Sequence, residues 1–205
     1  MKRPMKDRAK KPASPRAAIT ILAAGALLGF GALLASQWLA APLAASAAIG
    51  GPFSLTDGAG KTVTDADFRG KWMLVYFGYT HCPDACPTAL ADIASAMDKL
   101  PPAGRDAIVP VFVTVDPARD TPTVMRDYST AFGPSFVGLT GSPAAISGAE
   151  RAFRVYAAKH DLANGDYVMD HSSIIYVMDP KGRFITDFTR SDPVAMAAKL
   201  QQLGA

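Results

Sequence analysis

Residues 72–77 (Trp-Met-Leu-Val-Tyr-Phe) form an uninterrupted apolar run near the middle of the chain. A half-buried strand alternates apolar and polar side chains, whereas a run without polar residues is typical of a strand buried on both faces. Such a strand needs covering layers on both sides, which indicates an α/β protein. Residues 87–100 then carry apolar side chains at helical spacing, so the element that follows the strand is predicted to be a helix.

Strand and helix patterns alternate along the rest of residues 51–205, which are long enough to form one independent domain. Pro110 suggests an end or a bulge in the strand predicted at 108–115. Ser191 or Asp192 is expected to cap the last helix, predicted at 192–203. This order of elements predicts a thioredoxin-like fold. The remaining predicted elements are an N-terminal hairpin (53–55 and 61–63), a strand (108–115), helices (122–132 and 143–159), two strands (173–178 and 183–188) and a last helix (192–203).

The N-terminal part of the chain has the composition of a membrane anchor. Residues 1–16 contain seven basic side chains and one acidic one, and residues 17–35 contain no charge. Nineteen residues at about 1.5 Å each nearly cross a hydrocarbon core of about 30 Å. The positive-inside rule places residues 1–16 in the cytoplasm, so residues 17–38 are predicted to be a single-pass anchor in the inner (cytoplasmic) membrane. The domain would then lie in the periplasm.

A cleaved signal peptide is the alternative to a retained anchor, because residues 45–47 (Ala-Ser-Ala) resemble a cleavage site. The apolar run is longer than the about 7–15 residues of a signal peptide, which favours the anchor. Residues 39–50 are small and uncharged and are interpreted as a linker to the domain at 51–205. Because the whole chain has a net charge of +3 and residues 1–16 carry +6, the rest carries −3. Nucleic-acid binding is therefore not expected.

The only two cysteines, Cys82 and Cys86, lie between the buried strand and the predicted helix. A disulfide over so short a loop would add little stability, so the pair is expected to be redox-active or to bind metal. Amide groups at the start of a helix stabilise a thiolate there. Three intervening residues place the two sulfurs about one helical turn apart, where they can converge on one ion.

Two thiolates alone make a poor metal site, so a third ligand is sought among the three histidines. His160, at a predicted helix end, is interpreted as a solvated residue. His81 adjoins Cys82, but its side chain would tend to point away from that sulfur, which argues against ligation. It would instead lower the pKa of Cys82 or simply occupy the loop. His171 precedes a strand whose leading loop faces the cysteines in thioredoxin-like sheets, and that loop lacks the proline that thioredoxins carry. The residues alone leave His171 open to a structural role or to ligation.

The chain resembles the Sco/SenC family of copper-binding mitochondrial and bacterial proteins. The matching stretches include residues 82–87 (Cys-Pro-Asp-Ala-Cys-Pro) and 170–176 (Asp-His-Ser-Ser-Ile-Ile-Tyr), with others at 70–80, 113–117, 119–122 and 179–180. The resemblance implies that Cys82, Cys86 and His171 are the copper ligands. It also implies a transmembrane anchor and a recipient, the dinuclear copper centre of cytochrome c oxidase subunit II.

Ligand chemistry agrees with copper, because two soft thiolates and one imidazole suit Cu(I), and Cu(II) if an oxygen joins. Zinc is chemically possible, but structural zinc normally takes four protein ligands. Asp116 and Asp170 are candidates for hydrogen bonds to the ligands, and Asp116 could equally cap a turn before Pro117. Met169 could be taken for an axial ligand, but its place in a strand favours a role in the core.

The leading hypothesis is a metallochaperone, which is not an enzyme, that passes copper to its recipient by ligand exchange. The alternative is a thiol–disulfide oxidoreductase that reduces the recipient's cysteines and needs Cys82 and Cys86 but not His171. A peroxidase of the peroxiredoxin type is a third option. The chaperone would also need a copper donor and a thiol reductant, neither of which the sequence identifies.

Overall fold

The computed structural model describes residues 49–189 and 192–205. The predicted cytoplasmic segment, the predicted anchor at 17–38 and most of the predicted linker lie outside these residues. Within the described part, none of the helices combines the length and the apolar character needed to cross a membrane.

The described strands are β1 (Ser54–Asp57), β2 (Thr62–Thr64), β3 (Trp72–Gly78), β4 (Ile108–Thr114), β5 (Val137–Thr140), β6 (Ala157–Asp161), β7 (Tyr167–His171), β8 (Ile175–Met178) and β9 (Phe184–Phe188). Seven of them form a mixed sheet at the centre of the domain, with the strand order β2-β1-β5-β4-β3-β8-β9. Neighbours β3, β4 and β5 run parallel, and the other pairs are antiparallel. A separate two-stranded sheet is formed by β6 and β7.

In the described part of the chain, five α-helices accompany the sheet, with one 3-10 turn at Asp65–Phe68. Three of the helices begin with a proline behind a side-chain cap: Thr121, Ser142 and Asp192 each accept a hydrogen bond from the first turn. Asp192 is thus one of the two caps predicted for the last helix. The helices are α1 (Ala85–Asp98), α2 (Pro102–Asp106), α3 (Pro122–Thr130), α4 (Pro143–Phe153) and α5 (Pro193–Gln202).

Strand β3 lies between β4 and β8 and is buried along nearly its whole length. Leu74, Tyr76 and Phe77 are completely inaccessible to solvent. The prediction of a strand covered on both faces is therefore confirmed, as is the α/β thioredoxin-like fold with its N-terminal hairpin of β1 and β2.

Two sequence predictions about local structure are wrong. The helix predicted over residues 143–159 ends at Phe153, Arg154 adopts a left-handed conformation (φ 56°), and the β6–β7 hairpin follows.

Pro110 marks neither an end nor a bulge, since it lies inside β4 in unbroken register with β3. Along a strand, successive backbone nitrogens point alternately to the two neighbouring strands. The N–H of Val115 donates to Gly78 of β3, so the nitrogen of Pro110, five positions earlier, points towards β5. Pairing with β5 begins only at Val111, so no hydrogen bond is lost.

Candidate metal site

The two cysteines lie where the sequence predicts, in the connection between β3 and α1. Cys82 belongs to the loop and is partly exposed, whereas Cys86 is in the first turn of α1 and is buried. The backbone N–H of Cys86 donates to the Cys82 sulfur at 3.3 Å. The unpaired amides at the start of the helix therefore face the first cysteine.

His171 reaches the cysteines from the other side of the site. It is the last residue of β7, and its Nε2 lies 3.4 Å from the Cys86 sulfur. Its Nδ1 lies 3.2 Å from the carbonyl oxygen of Ser172. The rings of Tyr76 and Tyr79 meet the imidazole edge-on, with centroids 6.1 and 5.9 Å away. These contacts hold the imidazole ring over the cysteines.

The donor atoms of Cys82, Cys86 and His171 all lie within 4.8 Å of one another. Nitrogen and sulfur ligands bind zinc at about 2.0–2.3 Å, so two donors of one ion are at most about 4.6 Å apart. The three side chains could therefore converge on a single ion with little movement. Their role as ligands remains a prediction.

The two thiols differ in acidity. The pKa of Cys82 is lowered to about 5, first because the Cys86 side chain hydrogen-bonds to its sulfur and further because backbone N–H groups at the helix start stabilise the thiolate. The same hydrogen bond, followed by burial, raises the pKa of Cys86. Near neutral pH and without metal, we therefore expect the thiolate on Cys82 and the proton on Cys86.

A buried carboxylate anchors the cysteine loop. Asp120 is inaccessible to solvent and accepts hydrogen bonds from the backbone N–H of Thr80 at 3.1 Å and from its hydroxyl at 2.6 Å. The hydroxyl of Thr114, at the end of β4, donates to the same carboxylate at 2.6 Å. Thr80 is two residues before Cys82, so Asp120 fixes the loop to the central sheet. The sequence interpretation assigned no role to Asp120.

Asp116 makes its hydrogen bonds away from the three candidate ligands. Its carboxylate accepts from the Tyr167 hydroxyl at 2.9 Å and from Nε of Arg119 at 2.5 Å. Asp170, the other predicted hydrogen-bond partner of a ligand, is exposed and pairs with His160 at 3.0 Å. That histidine is in β6, so its predicted position at a helix end is wrong although it is solvated as expected.

The other two candidates also lie outside the three-residue cluster. His81 is more than half exposed, and its Nδ1 is 3.2 Å from the Thr80 hydroxyl and 4.0 Å from Asp120. Met169 is half-buried and packs against the core, as the sequence predicts. Sequence reasoning did not identify Arg119 and Tyr167 as neighbours of the site, because the hairpin that carries Tyr167 was not predicted.

The fold and the site together define a thioredoxin-like protein with two thiols and one imidazole close enough together to hold a metal ion. Comparison with known proteins gives the family directly: the chain belongs to the SCO1/SenC family, whose profile matches residues 41–204. The recognition of this family from the sequence is thereby confirmed.

Individual relatives are similar over the same domain. Protein SenC of Rhodobacter capsulatus is 44% identical over 154 residues, which are 75% of this chain and 69% of SenC. The mitochondrial SCO1 homolog 1 of Arabidopsis thaliana is 44% identical over 153 residues, or 75% of this chain, which spans only 46% of the plant protein. Bradyrhizobium japonicum ScoI with copper bound is 46% identical, with a TM-score of 0.70 over 76% of this chain and 99% of the solved one. The match therefore covers nearly the whole solved chain of that relative.

Proposed function

We propose that this protein binds one Cu(I) ion through Cys82, Cys86 and His171 and delivers it to another protein. The observation that carries the proposal is the convergence of two sulfurs and one imidazole nitrogen within 4.8 Å. Support comes from the ScoI relative, which is 46% identical and was solved with copper bound.

The donor set fits Cu(I) better than zinc. Thiolates are soft ligands, and two of them with one imidazole form a low-coordinate site of the kind Cu(I) accepts. A structural zinc site needs a fourth protein ligand. Within residues 49–189 and 192–205, the cluster around the cysteines offers three donors, and the Asp116 carboxylate is already bound to Arg119 and Tyr167.

The position of the site suits transfer of copper as cargo. Cys82 is partly exposed in a loop at the end of the sheet, while Cys86 is buried beneath it. A thiolate of the recipient can therefore approach from the side of Cys82, and each new bond to the recipient would replace one bond to this chain. Because thiolates exchange for thiolates, the step needs no oxidant or reductant.

The proposed copper recipient and cellular location both rest on the family resemblance. We propose that the domain works in the periplasm, held by an anchor at residues 17–38 in the inner membrane. There it would supply the dinuclear copper centre of cytochrome c oxidase subunit II during assembly. A copper donor and a thiol reductant that keeps Cys82 and Cys86 reduced are further required partners.

Metal analysis of residues 49–205 tests the binding step. The reduced domain should take up one copper per chain, whereas the Cys82→Ser and Cys86→Ser variants should lose tight binding because a hydroxyl is a poor soft ligand. The oxidised domain serves as a control, since a Cys82–Cys86 disulfide leaves no thiolate to coordinate copper. Full Cu(I) affinity in either serine variant would refute the site.

A second function, reduction of a disulfide in the recipient, is favoured by the different acidities of the two cysteines. The Cys82 thiolate would attack one sulfur of the disulfide and release the other as a thiolate, which takes a proton. Cys86 would then lose its proton and attack Cys82, releasing the second recipient thiol. The recipient gains two electrons, this chain ends with a Cys82–Cys86 disulfide, and an external dithiol must reduce it again.

A further inference from the structure

The hairpin that carries His171 is not part of the central sheet. Strands β6 and β7 pair only with each other among the described strands, from Ala157 opposite His171 to Asp161 opposite Tyr167. At the end nearest the site, Tyr156 and Ser172 exchange two hydrogen bonds, both of 3.0 Å. The distance from His171 to the cysteines therefore depends on the contacts that hold the hairpin against the rest of the domain.

Arg119 holds the other end of the hairpin against the domain. This arginine lies in the loop after β4, and its guanidinium carbon is 3.6 Å from the ring centre of Tyr167, the first residue of β7. Nη1 donates to the Tyr167 carbonyl oxygen at 3.1 Å and to the Asp166 carboxylate at 3.2 Å. The buried Asp116 holds the arginine through Nε and binds the Tyr167 hydroxyl with its second oxygen. The guanidinium of Arg119 thus both stacks on the Tyr167 ring and donates hydrogen bonds to the hairpin.

The same guanidinium also lies beside Tyr79, at 5.7 Å from the ring centre. Tyr79 is buried, and its ring stands at 89° to the imidazole of His171. Arg119 is therefore connected to His171 along two routes, one through the strand and one through the Tyr79 ring.

We propose that Arg119 is a positioning residue for His171: by holding Tyr167 and Tyr79 it keeps the imidazole within reach of the two cysteine sulfurs. The proposal rests on the copper site proposed above. Within the described residues, Arg119 forms no hydrogen bond with the cysteines or with the imidazole, so its main influence on copper is expected to pass through the third ligand.

A lysine at position 119 is the sharpest probe of this role. It keeps a positive charge beside the buried Asp116, which protects folding, but it lacks the planar group that stacks on Tyr167 and donates in two directions. Cu(I) affinity of residues 49–205 is measured by competition with a chromophoric chelator, in the wild-type and in the His171→Ala background. Arg126→Lys is the control, because Arg126 is half exposed on α3 and pairs with the adjacent Asp127.

We expect Arg119→Lys to weaken Cu(I) binding about tenfold in the wild-type background, the lower range for residues that orient a ligand. In the His171→Ala background the loss should be within about twofold, because no third ligand remains to be positioned. An equal loss in both backgrounds, or no loss in either, overturns the proposal. The effect of His171→Ala alone reports separately on the copper site, so failure of the ligand set and failure of the positioning role are distinguishable.

Hydrogen exchange of the reduced, metal-free domain gives a second reading that does not involve copper. In Arg119→Lys the amides of residues 157–171 should exchange faster, whereas those of α1 should be unchanged. Unchanged exchange in the hairpin would overturn the proposal. If Arg119→Lys does not fold, Tyr167→Leu removes the same stacking surface from the hairpin side and must give the same two results.

Discussion

The imidazole Nε2 of His171 lies 3.4 Å from the sulfur of Cys86, although 85 positions separate the two residues in the chain. One belongs to the first turn of α1 and the other to the end of a hairpin outside the central sheet. The candidate metal site therefore exists only when the hairpin is docked on the cysteine loop.

Cys82 should react with alkylating agents well before Cys86. Because the pKa of Cys82 is lowered to about 5, this thiol is mostly ionised at pH 6, whereas the buried Cys86, with its raised pKa, keeps its proton. Limited iodoacetamide treatment of the reduced, metal-free domain at pH 6 should give one modification. Fragmentation of the peptide by mass spectrometry should place it on Cys82. Equal labelling, or labelling that starts at Cys86, would contradict the assignment of the thiolate.

Gly78 should not tolerate a methyl group. A Cβ atom there would lie 2.6 Å from the Cys86 sulfur and 3.0 Å from Cε2 of Phe112, both in the buried core. We expect Gly78→Ala to lower the free energy of unfolding by about 1–3 kcal/mol through overpacking, and to weaken Cu(I) binding by displacing the sulfur. Urea denaturation and chelator competition measure the two effects.

Gly148→Ala is the matched control for this steric effect. Gly148 lies inside α4, and an added Cβ atom would meet only the end of the Arg151 side chain at 3.9 Å. Alanine should therefore raise the free energy of unfolding by up to about 1 kcal/mol and leave copper binding unchanged. A similar loss of copper affinity in both alanine variants would show that contact with Cys86 is not the cause.

Asp120→Asn should loosen the cysteine loop. The carboxylate accepts three hydrogen bonds, two from Thr80 and one from Thr114, and an amide has only one oxygen to offer them. A buried donor left without a partner costs about 1–3 kcal/mol, so the domain should lose stability by that amount in urea. Asp127→Asn, at an exposed position on α3, should change stability little. Equal stability of the two variants would contradict the anchoring role of Asp120.

The sequence predicts best where the signal is local and the burial is uniform. Strand β3, the cysteine connection and the start of α1 follow one another, and each has a pattern of its own. The β6–β7 hairpin lacks such a signal because three of the five residues of β6 are exposed, including Lys159 and His160. Helix α4 also ends at Phe153, and the next residue, Arg154, is left-handed without the glycine that usually marks this position.

The candidate site likewise contains residues that the sequence identifies and residues that it does not. The cysteine pair is evident from its spacing, whereas His171 required the resemblance to the Sco/SenC family, since a single histidine before a strand has many structural roles. The surrounding contacts could not be predicted, because Asp120 reaches Thr80 across 40 positions and Arg119 reaches Tyr167 across 48. Such pairs become apparent only when the loops they belong to are placed in space.

His171 is the residue that separates copper delivery from disulfide reduction. The His171→Ala variant lacks one of the three proposed ligands but keeps both sulfurs and the helix start, so dithiol–disulfide exchange should survive. His160→Ala is the matched control, because this histidine is on the same hairpin and pairs with Asp170 on the exposed side. Both variants should be produced at the wild-type level, which immunoblotting verifies.

Assembly of the dinuclear copper centre of cytochrome c oxidase at limiting copper is the most direct measurement. It is made in cells whose only copy of this protein carries His171→Ala, with His160→Ala cells beside them. Copper delivery predicts that the His171→Ala cells lack assembled, active oxidase while the His160→Ala cells contain it. Normal oxidase in the His171→Ala cells would contradict copper delivery and favour reduction of the recipient's cysteines.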